Sequence, residues 1–206
     1  MKKIALLIVL AVVGLSVSAK VYDFESNDLG WNEYSGQKGE ALIKEGVLFI
    51  EGKVDGTAVI NDNGRLIKEF FLSSTCYLPI EVTRTFEIKA DVFAKKLKND
   101  AGFGIIFNYR DDENFHFFLI NAVQVKYYRI ENAVCTGYRE DRIKFRSKKK
   151  AEIALHLKKS FDKVALIVDD VQVLEIPYIE YKYQGIGFFT IGEQTITFDN
   201  LETILK

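Results

Sequence analysis

The stretch AGFGIIFNYRDDENFHFFLINAVQVKYYRIEN, Ala101 to Asn132, constrains this chain more than any other. It reads as three consecutive β-strands joined by tight turns, one at Asp111–Asn114 and one at Ala122–Val123. A strand with one face on a core and one in water alternates apolar with polar residues. Here both faces carry large side chains, so both need a partner. One face belongs to a core, and the other is expected to line a groove, the alternative being that a loop or strand covers Phe115 and Phe117 and makes it a second core layer.

The register sorts the two faces, because directly opposed residues share a side of the sheet. A turn at Asp111–Asn114 sets Arg110 against Phe115, Asn108 against Phe117 and Ile106 against Leu119. The face with Phe103, Ile105, Phe107, Tyr109, His116, Phe118 and Ile120 is then nearly all apolar and is the expected core. The face with Asn108, Arg110, Phe117 and Asn121, joined by Lys126 and Tyr128, mixes aromatic with polar residues. Those six are the candidate ligand-binding residues. A sugar ring offers apolar C–H faces and a rim of hydroxyls, which an aromatic platform with hydrogen-bonding neighbours can match.

The remaining chain repeats the β pattern. Val21–Glu25, a pair within Ala41–Glu51 broken at Glu45-Gly46, and the turn Asn61-Asp62-Asn63-Gly64 between Thr57–Ile60 and Leu66–Leu72 all read as strands and hairpins. Thr85–Phe93 alternates, with Phe86, Ile88, Ala90 and Val92 on one face. Ala151–Leu157, Lys163–Val168, Val171–Ile176, Gly185–Ile191 and Thr195–Ile204 complete the set. Only two prolines occur, and no linker divides residues 20–206. One all-β, antiparallel two-sheet sandwich of about a dozen strands is expected. Its first and last strands should lie side by side, with Phe24 and Phe198 buried.

Residues 1–19 carry a different signal. Lys2 and Lys3 precede an apolar run from Ile4 to Leu15, and Val17-Ser18-Ala19 supplies small residues for cleavage. This predicts a signal peptide and export to a periplasm or the medium, with no membrane span after cleavage. The 28 basic and 29 acidic residues nearly cancel, which gives no reason to invoke nucleic acid. The basic run Arg142–Lys150 reads as a solvated loop. Cys76 and Cys135 are the only cysteines, and an oxidising compartment permits a disulfide between them, with two free thiols as the alternative.

The run GIIFNYRDDENFHFFLIN followed by YYRIEN resembles the central strands of concanavalin A-like lectin/glucanase domains, in particular the laminin-G-like jelly rolls of exported bacterial proteins. The opening VYDFES with Gly30-Trp31, the strand EGVLFIEG and the closing GIGFFTIGEQTITFDNLET fit the same order. That resemblance implies a concanavalin A-like jelly roll, with ligands on a concave face. It implies a carbohydrate-binding module, with a cell-envelope protein partner as the alternative and a glycoside hydrolase-like enzyme ranked last. Retaining glucanases of this fold carry Glu-x-Asp-x-x-Glu, or a run one residue shorter, on one strand, and no such run occurs here. The fold also admits structural calcium, for which Asp23 and Asp199 are the candidate ligands in the first and last strands. His116 and His156 are isolated and read as structural residues.

Overall fold

The computed structural model describes residues 18–56, 58–95, 97–145, 151–177 and 179–206. All but the last two residues of the expected signal peptide, and residues 146–150 of the basic run, lie outside that set. Among the described residues there are fifteen strands: β1 (Ser18–Tyr22), β2 (Tyr34–Gly36), β3 (Gly39–Lys44), β4 (Val47–Gly52) and β5 (Phe71–Tyr77), then β6 (Phe86–Ala94), β7 (Gly102–Asp111), β8 (Asn114–Ile120), β9 (Gln124–Glu131) and β10 (Val134–Arg142), and finally β11 (Ala151–Ser160), β12 (Lys163–Val168), β13 (Val171–Ile176), β14 (Gly185–Ile191) and β15 (Gln194–Leu205). No helix occurs among the described residues.

The strands form two antiparallel sheets. The larger runs β13-β12-β11-β6-β15-β4-β3-β2, with β1 also on β15; the smaller runs β10-β9-β8-β7-β14-β5. β15 is long enough to pair with β4 through Phe198 and then, past a bulge at Asn200, with β1. The two ends of the described chain therefore meet, Tyr22 opposite Leu201, as the sequence predicts. Phe24 and Phe198 are both buried. Phe198 of the larger sheet stacks on Phe188 of the smaller at 4.3 Å, and Phe188 stacks on Trp31 at 5.6 Å. These rings join the sheets across one main core, which also takes Phe103, Ile105, Phe107, Phe118 and Tyr127.

The turns follow the local chemistry. Glu45-Gly46 and Asp169-Asp170 both have positive φ at both positions, as a two-residue hairpin requires. Asn61 closes its turn by accepting the N–H groups of Asn63 and Arg65 on its side-chain oxygen. The segments that immediately flank the turn, however, form no strand of their own: they make only isolated bridges, Ile60 with Leu66 and Arg65 with Val134, before the chain enters β5 at Phe71. This hairpin instead lies across the outer face of the smaller sheet. Its tip is tied to the β9–β10 turn by Leu66 N–H donating to Ala133 O and Cys135 N–H donating to Gly64 O.

That crossing creates a second core. Val59, Ile60, Leu66, Phe70 and Phe71 pack against Ile106, Phe115, Phe117, Tyr128 and Phe189. The outer face of the three aromatic strands is thus covered by protein over most of its area, and the expected open groove is absent there. Glycine permits this arrangement: at Gly104 the ring of Phe189 sits where a side chain would stand, only 3.1 Å from the position of a Cβ. Phe189 can therefore lie flat and meet Phe117 edge-on at 5.3 Å.

The two cysteines sit on β5 and at the start of β10, the opposite edges of the smaller sheet, and both are free thiols. Five strand spacings separate those edges, about 24 Å, far beyond bridging distance. The alternative of a disulfide is thereby corrected.

Candidate functional site

The hairpin β7–β8 departs from simple pairing where the candidate residues lie. Phe103 to Phe107 pair with Ile120 to His116, and pairing resumes at Asp111–Asn114. Asn108, Tyr109 and Arg110 oppose Phe115 alone, so two extra residues are accommodated in β7. Asn108 takes φ 50°, in the left-handed region that asparagine tolerates better than most side chains. The bulge reverses the alternation: Asn108 turns toward the sheet interface and Tyr109 joins the outer cluster. Both positions were expected on the opposite faces.

Asn108 is buried and its amide is fully engaged. Its Oδ1 accepts the backbone N–H groups of Lys182 (2.8 Å) and Tyr183 (2.9 Å), and its Nδ2 donates to Glu180 O at 3.0 Å. Those three contacts fix the loop that carries the chain from β13 to β14. Nδ2 also faces His116 Nε2 at 3.5 Å, while His116 Nδ1 lies 2.9 Å from Tyr127 Oη. Because Oδ1 must receive two N–H donors, Nδ2 is the group that meets His116. Nε2 is then the acceptor, and Nδ1 carries the ring proton. Burial, helped by the nearby charge of Arg129, pulls His116 down to about 4, so the ring is neutral near pH 7. Asn108 therefore positions a loop instead of touching a ligand.

The loop walls a cavity of about 350 Å³ at this end of the sandwich. Arg110, Asn114 and Arg129 line it from the smaller sheet, with Glu131 at the end of β9, and Glu180, Lys182 and Tyr183 line it from the loop. Arg110 is exposed, lies over the Tyr183 ring at 5.9 Å, and pairs with Asp111 at 2.7 Å. Hydrogen bonds from Asn114 and Arg110 hold the Asp111 carboxyl down at about 2. Tyr77 is 58 % exposed and donates its hydroxyl to the backbone oxygen of Arg110 at 2.9 Å. Tyr77 packs on Tyr109, whose hydroxyl donates to Asp112 and is pushed up to about 12 by burial and by that bond. An accessible guanidinium over Tyr183, with exposed Tyr77 tied to its backbone, thus borders a polar cavity.

The six candidate ligand-binding residues separate. Arg110 lines the cavity with its side chain accessible, and Asn108 lines it as a buried residue whose amide is committed to the loop. Phe117 is fully buried and Tyr128 nearly so, beneath the crossing hairpin and against each other at 4.9 Å. Neither presents a stacking face, which corrects the expected platform. Asn121 caps its own turn by accepting the N–H groups of Val123 and Gln124. Lys126 pairs in register with Glu140 on β10, away from the cavity. Tyr77 and Tyr183 escaped the sequence reading; each is an aromatic at a strand-loop junction, Tyr77 ending β5 and Tyr183 just before β14.

The acids proposed for calcium serve backbone turns. Asp23 Oδ1 accepts Glu25 N–H at 3.4 Å, and Asp199 Oδ1 accepts Asn200 N–H at 2.7 Å. Among the described residues no three His, Cys, Asp or Glu side chains gather into a metal-binding group.

No protein-family model matches the chain, and no curated protein matches it. Solved structures do. The CBM2 module of the evolved Dit of Lactobacillus casei BL23 phage J-1 superposes with a TM-score of 0.58 at 10% identity, over 92% of this chain and 97% of that one. The Emp47p carbohydrate recognition domain gives 0.57 at 8% identity, over 85% and 88%. A prokaryotic β-1,3-1,4-glucanase (lichenase) from a mouse hindgut metagenome gives 0.56 at 9% identity, over 92% and 99%. The fold is an all-β, two-sheet jelly-roll sandwich, like theirs. Within that fold the three neighbours include both binding domains and an enzyme, so the jelly roll does not select an activity and the site must.

Proposed function

We propose that this jelly roll is an exported, non-catalytic glycan-binding module whose ligand sits at the Tyr77–Arg110–Tyr183 surface and its adjoining cavity. The observation that carries this reading is that arrangement: the Arg110 guanidinium over the half-buried Tyr183 ring, with the exposed Tyr77 held to the Arg110 backbone, beside a cavity ringed by Asn114, Arg129, Glu131, Glu180 and Lys182. Aromatic faces suit the C–H faces of a sugar, and the paired donors and acceptors suit its hydroxyls. The carbohydrate-binding neighbours support the same class of ligand. The absent Glu-x-Asp-x-x-Glu run supports a binding role over glucanase chemistry, and the basic-then-apolar N-terminal segment supports export.

The test is retention of the full chain on a panel of immobilised polysaccharides. At least one should retain it. Tyr77→Ala and Tyr183→Ala should each weaken retention about tenfold, near 1.4 kcal/mol, while Lys126→Ala, remote from the cavity, leaves it unchanged. Retention insensitive to both tyrosines would refute the site.

A further inference from the structure

The charge pattern of the cavity goes one step further, to the chemical class of the glycan; the inference rests on the glycan reading above. Three cations face the cavity, and each already has a carboxylate. Arg110 Nε is 2.7 Å from Asp111, Lys182 Nζ is 2.9 Å from Glu180, and Arg129 Nε is 3.8 Å from Glu131. Arg129 is committed further, donating through Nε to Thr136 Oγ1 at 2.9 Å and through Nη2 to Thr136 O at 3.3 Å. Arg110 gives its flat face to Tyr183. His116, on the floor, is neutral near pH 7.

A uronate, sialate or sulfate is held best by a cation whose charge is not already compensated by a neighbouring carboxylate. Here an incoming anion would find Asp111, Glu180 or Glu131 beside each cation it sought. A neutral hydroxyl faces no such conflict. It both donates and accepts, so it can bridge the carboxylate and the cation of one pair, and vicinal diols can bridge adjacent groups. We infer that the cavity selects neutral hexose units and discriminates against uronic, sialic and sulfated ones.

The probes are neutral glucans, galactans and mannans on one side, and polygalacturonate and a sulfated galactan on the other, each with the full chain at 50 and 500 mM NaCl. The expected result is retention on a neutral polymer, changed less than threefold by salt, and none on the anionic pair. Glu180→Gln should then gain measurable retention on polygalacturonate, because it frees Lys182. Salt-sensitive retention of wild type on an anionic polymer, lost in Arg110→Ala, would overturn the neutral assignment and leave the glycan site standing. Failure of Glu180→Gln to gain any polygalacturonate retention, with neutral binding intact, would equally overturn the role of charge pairing. Retention on neither class would overturn the glycan reading itself, and the inference with it.

Discussion

At the scale of single residues, Asn108 shows how a polar side chain in an aromatic strand can build a site without entering it. Replacing it with alanine removes the acceptor for Lys182 N–H and Tyr183 N–H and the donor to Glu180 O. It also places a Cβ residue without a local hydrogen bond at φ 50°. The expected loss is roughly 3 kcal/mol, since stranded buried groups cost about 1–3 kcal/mol each, read as a lower denaturant midpoint. Glycan retention should fall as well, because the loop bearing Lys182 and Tyr183 loses its anchor. Tyr181 is the opposite case. Its ring packs edge-on to Phe86 at 5.1 Å, and its buried hydroxyl makes no well-formed hydrogen bond, with only the Asn108 backbone in reach. Tyr181→Phe removes a poorly satisfied group and keeps the ring, so it should be neutral or stabilising by up to about 1 kcal/mol. A loss above 1 kcal/mol in the same denaturation experiment would show that the hydroxyl is in fact satisfied.

At the scale of elements, strands and turns were legible where local chemistry dictates them, and faces were legible only until long-range contacts intervened. The turns at Glu45-Gly46 and Asp111–Asn114 formed where the sequence reading expects, because each depends on residues within a few positions. The strands that the second turn joins, however, are paired two residues away from the expected register, with Ile106 opposite Phe117 instead of Leu119. The alternation of Phe86, Ile88, Ala90 and Val92 also placed its buried face correctly. The bulge at Asn108–Arg110 was not legible, since it is stabilised from a loop more than seventy residues away. Nor was the covering of Phe117 and Tyr128, because the Asn61–Gly64 hairpin reads the same whether it joins a sheet or lies on one. Glycine in the smaller sheet offers a direct test of that covered face. A Cβ at Gly104 would stand 1.8 Å from Phe118 O and 3.1 Å from the Phe189 ring. Backbone cannot yield as a flexible side chain can, so Gly104→Ala should cost at least about 2 kcal/mol through overpacking. Near-UV circular dichroism should report disturbed aromatic packing before the strand content changes. An unchanged midpoint with an unchanged aromatic spectrum would contradict the close approach of β7, β8 and β14.

For the whole molecule, the titrating groups bound a stability plateau on both sides. On the acid side, His116 is held near 4 against an ordinary value of 6.5, by burial and the Arg129 charge. The unfolded chain therefore takes up that proton first, and stability present above pH 6.5 is lost as pH falls toward 4. One pKa unit is about 1.4 kcal/mol, so this residue alone contributes about 3 kcal/mol at order of magnitude. His156 is also lowered by burial, against the opposing pull of Glu87, and adds in the same direction. Burial pushes the Glu87 carboxyl up, but its Lys206 hydrogen bond and the neighbouring positive charges bring it below 4.5, so a further loss follows as pH falls through that carboxylate. On the alkaline side the sign reverses. Burial raises Tyr109 and Tyr128 to about 12 and raises Tyr127 and Tyr181 as well, so the unfolded chain ionises first above pH 10. The stability these tyrosines contribute is complete below pH 10 and is lost as pH rises toward their folded values. Burial raises the Cys76 thiol above its ordinary 9.0 in the same sense. Thermal melts from pH 3 to 11 should therefore show a plateau between about 6.5 and 9, with His116→Gln flattening the decline between 6.5 and 4 relative to its own plateau. Both cysteines are free, so the same curve should be unchanged by a reductant between pH 6.5 and 8. An acid limb just as steep in His116→Gln would place the proton-linked loss on other groups and break the link between the Asn108–His116 contact and the neutral ring beneath the cavity.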